Sequence, residues 1–137
     1  MAEHKIAVLD DDRTWNNAVK RFFSKHGFDV QTYENAADFL NEAQNYDLAL
    51  IDFYLSSSSE TVNDLNGYAI IRHLKKNVER CPILVMVSAF VDMESARLFP
   101  EADFFLVKDI GLATILQRAK ELLETRQQSS AVEPISN

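Results

Sequence analysis

Residues 6–11, Ile-Ala-Val-Leu-Asp-Asp, are a short apolar run that ends on two carboxylates. Three later runs also end on a polar side chain: residues 48–51 lead into Asp52, residues 82–87 into Ser88, and residues 104–107 into Lys108. Apolar runs of this length are typical of buried strands. Ligands of an open parallel sheet bind outside the carboxyl ends of its strands, so the pattern predicts that these polar side chains meet at one edge.

Helical patterns lie between the apolar runs, which is typical of βα units and a parallel sheet. Apolar residues recur at intervals of three and four after the first run, which predicts one face of a helix: Trp15, Ala18, Val19, Phe22 and Phe23. Asp12 or Thr14 can cap this helix, and Gly27 can end it. The whole pattern predicts five strands and five helices in strict alternation, the later helices at about 35–43, 67–77, 92–99 and 112–126.

Composition restricts the function classes. A formal charge of −7 argues against a nucleic-acid surface, because phosphate contacts favour a basic face. No apolar run approaches the roughly 20 residues of a membrane span, and the first residues do not have the layout of a signal peptide. The lone Cys81 excludes an internal disulfide and suits a reducing compartment. We therefore expect a cytoplasmic protein with no direct contact to nucleic acid or membrane.

The domain organisation is simple. We expect one domain over residues 1–126, followed by a polar and aperiodic segment, 127–137, as a disordered tail or the start of a linker. A long polar loop from Ser56 to Asn66 is predicted after Asp52.

The polar residues at the predicted strand ends suit phosphoryl transfer. A carboxylate attacks phosphorus when a divalent cation, itself held by carboxylates, neutralises the developing charge. An ammonium and a hydroxyl can hold two further phosphoryl oxygens. Asp10, Asp11, Asp52, Lys108 and Ser88 together supply these groups.

Over about residues 4–126 the chain resembles the receiver domain of two-component response regulators. The matching residues are the run from Val8 to Asp12, Asp52 with Asn66-Gly67 downstream, Ser88-Ala89 and Lys108. The resemblance implies a flavodoxin-like (CheY-like) fold, a doubly wound parallel sheet of strand order 2-1-3-4-5. It also implies a signalling switch rather than a turnover enzyme, which takes phosphate from a histidine kinase or a histidine phosphotransfer protein and acts on a downstream protein or output domain.

Site roles carry over from the resemblance residue by residue. Asp52 would be the phosphoacceptor, and Lys108 would contact the phosphoryl oxygens. Mg²⁺ would be bound directly by Asp11, Asp52 and the backbone carbonyl of Tyr54, and through water by Asp10. The hydroxyl of Ser88 would move toward the phosphoryl group, and Phe105 would be the aromatic switch that turns inward with it.

The chain departs from the family pattern in three places. Asp109 follows Lys108 where the family usually has proline, often after a cis bond, so the aim of the lysine is in question. The loop between Asp52 and Gly67 is longer than usual, and the fourth helix, at about 92–99, is short. These departures motivate one alternative, a receiver-like interaction module that no longer takes phosphate.

A second alternative comes from the run Asp10 to Thr14, which fits the Asp-x-Asp-x-Thr pattern of haloacid-dehalogenase-type phosphatases. Asp10 would then be the nucleophile and Asp12 the acid/base. This interpretation leaves Asp52 without a role, and nothing after Lys108 offers another strand that ends on paired acids.

Overall fold

The apolar runs form five strands, β1 Lys5–Leu9, β2 Asp29–Tyr33, β3 Leu48–Asp52, β4 Ile83–Ser88 and β5 Phe104–Val107. In the part of the chain that the structure describes, four α-helices accompany them, α1 Arg13–Lys25, α2 Ala36–Glu42, α3 Gly67–Asn77 and α4 Leu112–Val132, with single 3-10 turns at Ala43–Asn45 and Lys108–Ile110. The computed structural model describes residues 4–53, 67–89 and 100–132, with side chains up to residue 126.

The strands form one parallel sheet in the order β2-β1-β3-β4-β5. Because β1 lies between β2 and β3, the strand order reverses there, and helices cover both faces of the sheet. The predicted doubly wound fold of order 2-1-3-4-5 is confirmed.

The two faces of the sheet bury separate cores, which explains why β1, β3 and β4 are apolar at almost every position. Along β1, Ile6 and Val8 belong to one core while Ala7 and Leu9 belong to the other. The first core takes its helical side chains from α1 and α4, the second from α2 and α3. The last four residues of β1, 6–9, are fully buried.

Helix α1 begins and ends as its sequence predicts. Asp12 is the N-cap, and its carboxylate accepts hydrogen bonds from the backbone amides of Thr14 and Trp15 at 3.0 and 3.2 Å. Gly27, just past the end of the helix, has a φ of +91°, a conformation that glycine adopts without the clash of a Cβ. Of the two candidate caps, Asp12 rather than Thr14 has that role.

The structure differs from the sequence-based expectation at the end of the chain. Helix α4 was predicted to end near Arg126 but continues to Val132, because a formed helix gains one hydrogen bond for each residue added and glutamines 127 and 128 are good helix formers. The boundary between a domain at 1–126 and a tail at 127–137 stays a prediction.

The predicted fourth helix at about 92–99 and the loop Ser56–Asn66 lie outside the described residues. No helix within the described ranges combines the length and apolar character needed to cross a bilayer.

Candidate functional site

The ends of the central strands bring the predicted polar residues to one edge of the sheet. Asp52 is the last residue of β3 and Ser88 the last of β4, while Asp10 directly follows β1 and Lys108 directly follows β5. The register keeps these ends level, since Leu9 lies beside Ile51, Asp52 beside Val87, and Ser88 beside Val107. The strand pairing therefore assembles the site from four separate parts of the chain.

Three carboxylates form the centre of the site. Asp10, Asp11 and Asp52 each offer an oxygen, and these oxygens all lie within 4.8 Å of one another. Asp10 and Asp52 are buried, at 1% and 6% exposed, whereas Asp11 is exposed. Since carboxylates at this spacing repel one another in the absence of a cation, the cluster suits a hard divalent cation with oxygen ligands.

Asp10 is fixed through both its side chain and its backbone. Its Oδ1 accepts a hydrogen bond from the amide of Asp12 at 2.9 Å, and its Oδ2 lies 2.7 Å from Nζ of Lys108. Its carbonyl accepts a hydrogen bond from Nδ2 of Asn16 at 2.8 Å. Burial raises the pKa of the Asp10 carboxyl above its ordinary value of 3.8, although Lys108 and the Asp12 amide act in the opposite direction.

Lys108 points into the site without the proline that usually follows this lysine. Its Nζ lies 2.7 Å from Oδ2 of Asp10 and 3.9 Å from Oδ1 of Asp52, and its side chain is 19% exposed. No cis peptide bond occurs among the described residues, so the bond to Asp109 is trans. Asp109 itself lies in the 3-10 turn that follows β5. The lysine thus reaches the carboxylates with Asp109 in the proline position.

The other predicted residues lie at different depths. Ser88 is fully buried at the end of β4, and Phe105 is half-buried on β5 against the core that α2 and α3 cover. Tyr54, whose carbonyl was expected to complete the metal ligands, lies outside the described residues. The structure therefore brings together Asp10, Asp11, Asp52 and Lys108, with Ser88 at the end of the strand between β3 and β5.

Gly67 places helix α3 directly against the end of β3. Its amide donates a hydrogen bond to the carbonyl of Phe53 at 2.9 Å. A Cβ at this position would lie 2.2 Å from the carbonyl oxygen of Asp52 and 3.0 Å from Cα of Phe53. Only a residue without a side chain fits here, so Gly67 sets how closely the start of α3 approaches the site.

Two residues of α1 were not predicted to belong to the site. Asn16 is not among the candidate residues that the sequence supplies, but it is 2% exposed and bonds to Asp10. The spacing contained a signal for this, because Asn16 precedes the buried Val19 and Phe23 by three and seven residues and so shares their helix face. Trp15 belongs to the predicted face of the first helix and is partly buried against the core, but its ring also lies against Lys108.

Replacing Asp10 with asparagine is expected to raise the melting temperature of the metal-free protein by a few degrees. A carboxyl whose pKa is raised by folding stabilises the fold fully below its unfolded pKa and loses that contribution as the pH rises through the folded pKa. At neutral pH the ionised carboxylate of Asp10 therefore destabilises the folded state. Asp10→Asn removes this charge and nearly keeps the shape of the side chain. Thermal unfolding in EDTA at pH 7 measures the effect, and the gain should shrink toward pH 4. A lower melting temperature at pH 7 would contradict this account.

A model of the response regulator receiver domain family matches residues 6–120, which is most of the chain. Among curated proteins, the transcriptional regulatory protein CusR of Escherichia coli K12 is 26% identical over 122 residues, covering 87% of this chain and 51% of CusR. The response regulator MprA of Mycobacterium bovis is 26% identical over 135 residues, covering 96% of this chain and 56% of MprA. The chain thus spans about half the length of these relatives.

Solved structures show the same fold. The crystal structure of a CheY-like response regulator receiver domain protein from Methanospirillum hungatei superposes with a TM-score of 0.77 at 22% identity. The superposition covers 93% of this chain and 99% of that one.

Proposed function

The chain belongs to the response regulator receiver domain family, and from that premise we propose that it is a signalling switch which accepts a phosphoryl group on Asp52. One observation carries the proposal: the Asp52 carboxylate lies at the end of β3 within 3.9 Å of the Lys108 ammonium and beside the carboxylates of Asp10 and Asp11. A nucleophile, a cation site and a fixed ammonium are the groups that phosphoryl transfer to a carboxylate requires.

Each residue of the site has a role in this scheme. An oxygen of Asp52 forms a bond to phosphorus while the bond from phosphorus to the donor breaks, and the donor leaves with the electron pair. Lys108 holds one phosphoryl oxygen and the Ser88 hydroxyl donates a hydrogen bond to another. The Ser88 movement that follows would let Phe105 turn inward and change the surface around β5.

Magnesium is the cofactor that the carboxylates suit. Asp11, Asp52 and the Tyr54 carbonyl would hold it directly and Asp10 through water, and when bound it neutralises charge on the phosphoryl oxygens. The chain's own contribution is to hold these oxygens close together before the cation arrives, two of the three carboxylates being buried.

The partners follow from the family. The phosphoryl donor is a histidine kinase or a histidine phosphotransfer protein, and the modified surface acts on a downstream protein or an output domain. The formal charge of −7 favours protein partners over direct contact with nucleic acid, and a cytoplasmic location agrees with such donors. The chain catalyses its own phosphorylation and dephosphorylation, with no turnover substrate.

The cap of α1 favours this function over a phosphatase that uses Asp10 and Asp12. The Asp12 carboxylate accepts hydrogen bonds from two backbone amides at the start of α1. These hydrogen bonds engage the Asp12 carboxylate with the helix backbone, as an N-cap does. The phosphatase scheme needs Asp12 as an acid, whereas the receiver scheme leaves it as a cap.

The proposal is tested by intact-mass spectrometry after incubation with acetyl phosphate and Mg²⁺. We expect one phosphoryl adduct, absent when EDTA replaces Mg²⁺, and peptide mapping should locate it on the segment that contains Asp52. No adduct under these conditions or with a phosphohistidine donor would favour the interaction module that takes no phosphate. An adduct on the segment that contains Asp10 would favour the phosphatase.

Magnesium is expected to raise the melting temperature of the protein. A cation that binds only the folded state stabilises it by about 2.7 kcal/mol at one hundred times its dissociation constant, and here it also relieves the repulsion among three carboxylates. Thermal unfolding at increasing Mg²⁺ measures the shift, which we expect to be several degrees. Asp11→Asn should reduce the shift, and no shift at millimolar Mg²⁺ would count against the site.

A further inference from the structure

The ring of Trp15 lies against the ammonium of Lys108. The Nζ atom is 4.9 Å from the ring centroid, within the range of a cation–π interaction. The ammonium therefore has two carboxylates, Asp10 and Asp52, and one aromatic face around it.

Trp15 is held firmly in this position. It lies in the first turn of α1, where its amide donates a hydrogen bond to Oδ1 of Asp12 at 3.2 Å. Its side chain packs against the core that α1 and α4 cover. The helix cap therefore sets the backbone at Trp15, and packing against the core holds the ring.

Resting on the proposed function, we propose that Trp15 is a positioning residue for phosphoryl transfer, whose ring keeps the Lys108 ammonium in the site. The two carboxylates that hold the ammonium are the groups whose charge the metal and the phosphoryl group change during the reaction. The attraction of the ring depends on neither, so it persists through every state of the site. Lys108 has a flexible stem and is followed by Asp109 instead of a ring-constrained proline, which makes an additional restraint useful.

The first test compares initial rates of phosphorylation by acetyl phosphate at saturating Mg²⁺, measured by intact mass. We expect Trp15→Leu to slow the reaction about fivefold and Trp15→Phe, which keeps an aromatic face, to recover part of the rate. Phe22→Leu is the matched control, since Phe22 is an aromatic residue of the same helix that packs against the same core. Its rate should stay within about twofold of the wild type.

The second test does not depend on phosphorylation. Trp15 is the one tryptophan of the chain, so fluorescence reports on its ring directly. Lys108→Met removes the charge at similar shape and should change the emission spectrum, whereas Lys20→Met, which removes a charge from an exposed site on α1, should not.

The outcomes separate this inference from the proposed function. A wild type that takes no phosphate refutes the receiver function, while the fluorescence pair still decides whether the ring senses Lys108. A folded Trp15→Leu that reacts at the wild-type rate overturns the positioning role even if the wild type is phosphorylated. If Trp15→Leu fails to fold, Trp15→Phe at the wild-type rate together with identical emission from Lys108→Met overturns it.

Discussion

Asp52→Asn is expected to abolish the phosphoryl adduct, because an amide cannot form the acyl phosphate that a carboxylate forms. The substitution keeps the shape of a side chain that is 6% exposed and removes one of three clustered charges, so the protein should fold at least as well as the wild type. Intact-mass spectrometry with acetyl phosphate and Mg²⁺ gives the answer in one comparison.

Two controls make this result specific. Asp47→Asn makes the same chemical change at the opposite end of β3, and we expect its adduct to be retained. Asp10→Asn leaves the acceptor in place, so it should be labelled, but more slowly because the cluster loses a charge that supports the cation. Labelling of Asp52→Asn together with no labelling of Asp10→Asn would instead identify Asp10 as the nucleophile.

Gly67→Ala is expected to destabilise the protein by about 3 kcal/mol. The new Cβ would lie 2.2 Å from the carbonyl oxygen of Asp52 and 2.9 Å from its carbonyl carbon, so either α3 or the end of β3 has to move. Backbone atoms cannot rotate aside as a flexible side chain does. Urea unfolding measures the loss, and slower phosphorylation is expected as well, because the displaced backbone carries Asp52, the proposed phosphoacceptor.

Gly27→Ala is the informative comparison. Gly27 has a φ of +91°, but a Cβ there meets nothing within 4 Å, so its substitution introduces backbone strain without a collision and should cost about 1 kcal/mol. A Gly67→Ala protein as stable as Gly27→Ala would mean that α3 does not approach β3 this closely.

Much of the fold was predictable from the sequence, because a strand that is buried on both faces appears as a continuous apolar run. β5 was predicted at its observed bounds, and the strands β3 and β4 are apolar at nearly every position, as two-sided cover demands. Helix ends were harder to predict. The end of α4 at Val132 depends on propagation from a formed helix, and a polar composition does not prevent that.

The site was predictable wherever a polar residue ends an apolar strand, which is how Asp10, Asp52, Ser88 and Lys108 were identified. The contribution of α1 was missed because side-chain direction depends on how the helix lies on the sheet. Asn16 was not among the predicted site residues, but it is buried and bonds to Asp10. The direction of the Lys108 side chain was also not predictable, because no local rule gives it for a lysine that precedes Asp109. Contacts with Asp10 and Trp15, which are distant in sequence, determine it.

The order of the site residues along the chain has a consequence for biosynthesis. Asp10, Asp11 and Asp52 leave the ribosome before Lys108, which follows the last strand of the sheet. A nascent chain that folded early would gather three carboxylates without the ammonium that lies against Asp10. We expect this imbalance to weaken the packing of the strand ends until β5 joins the sheet and Lys108 reaches Asp10.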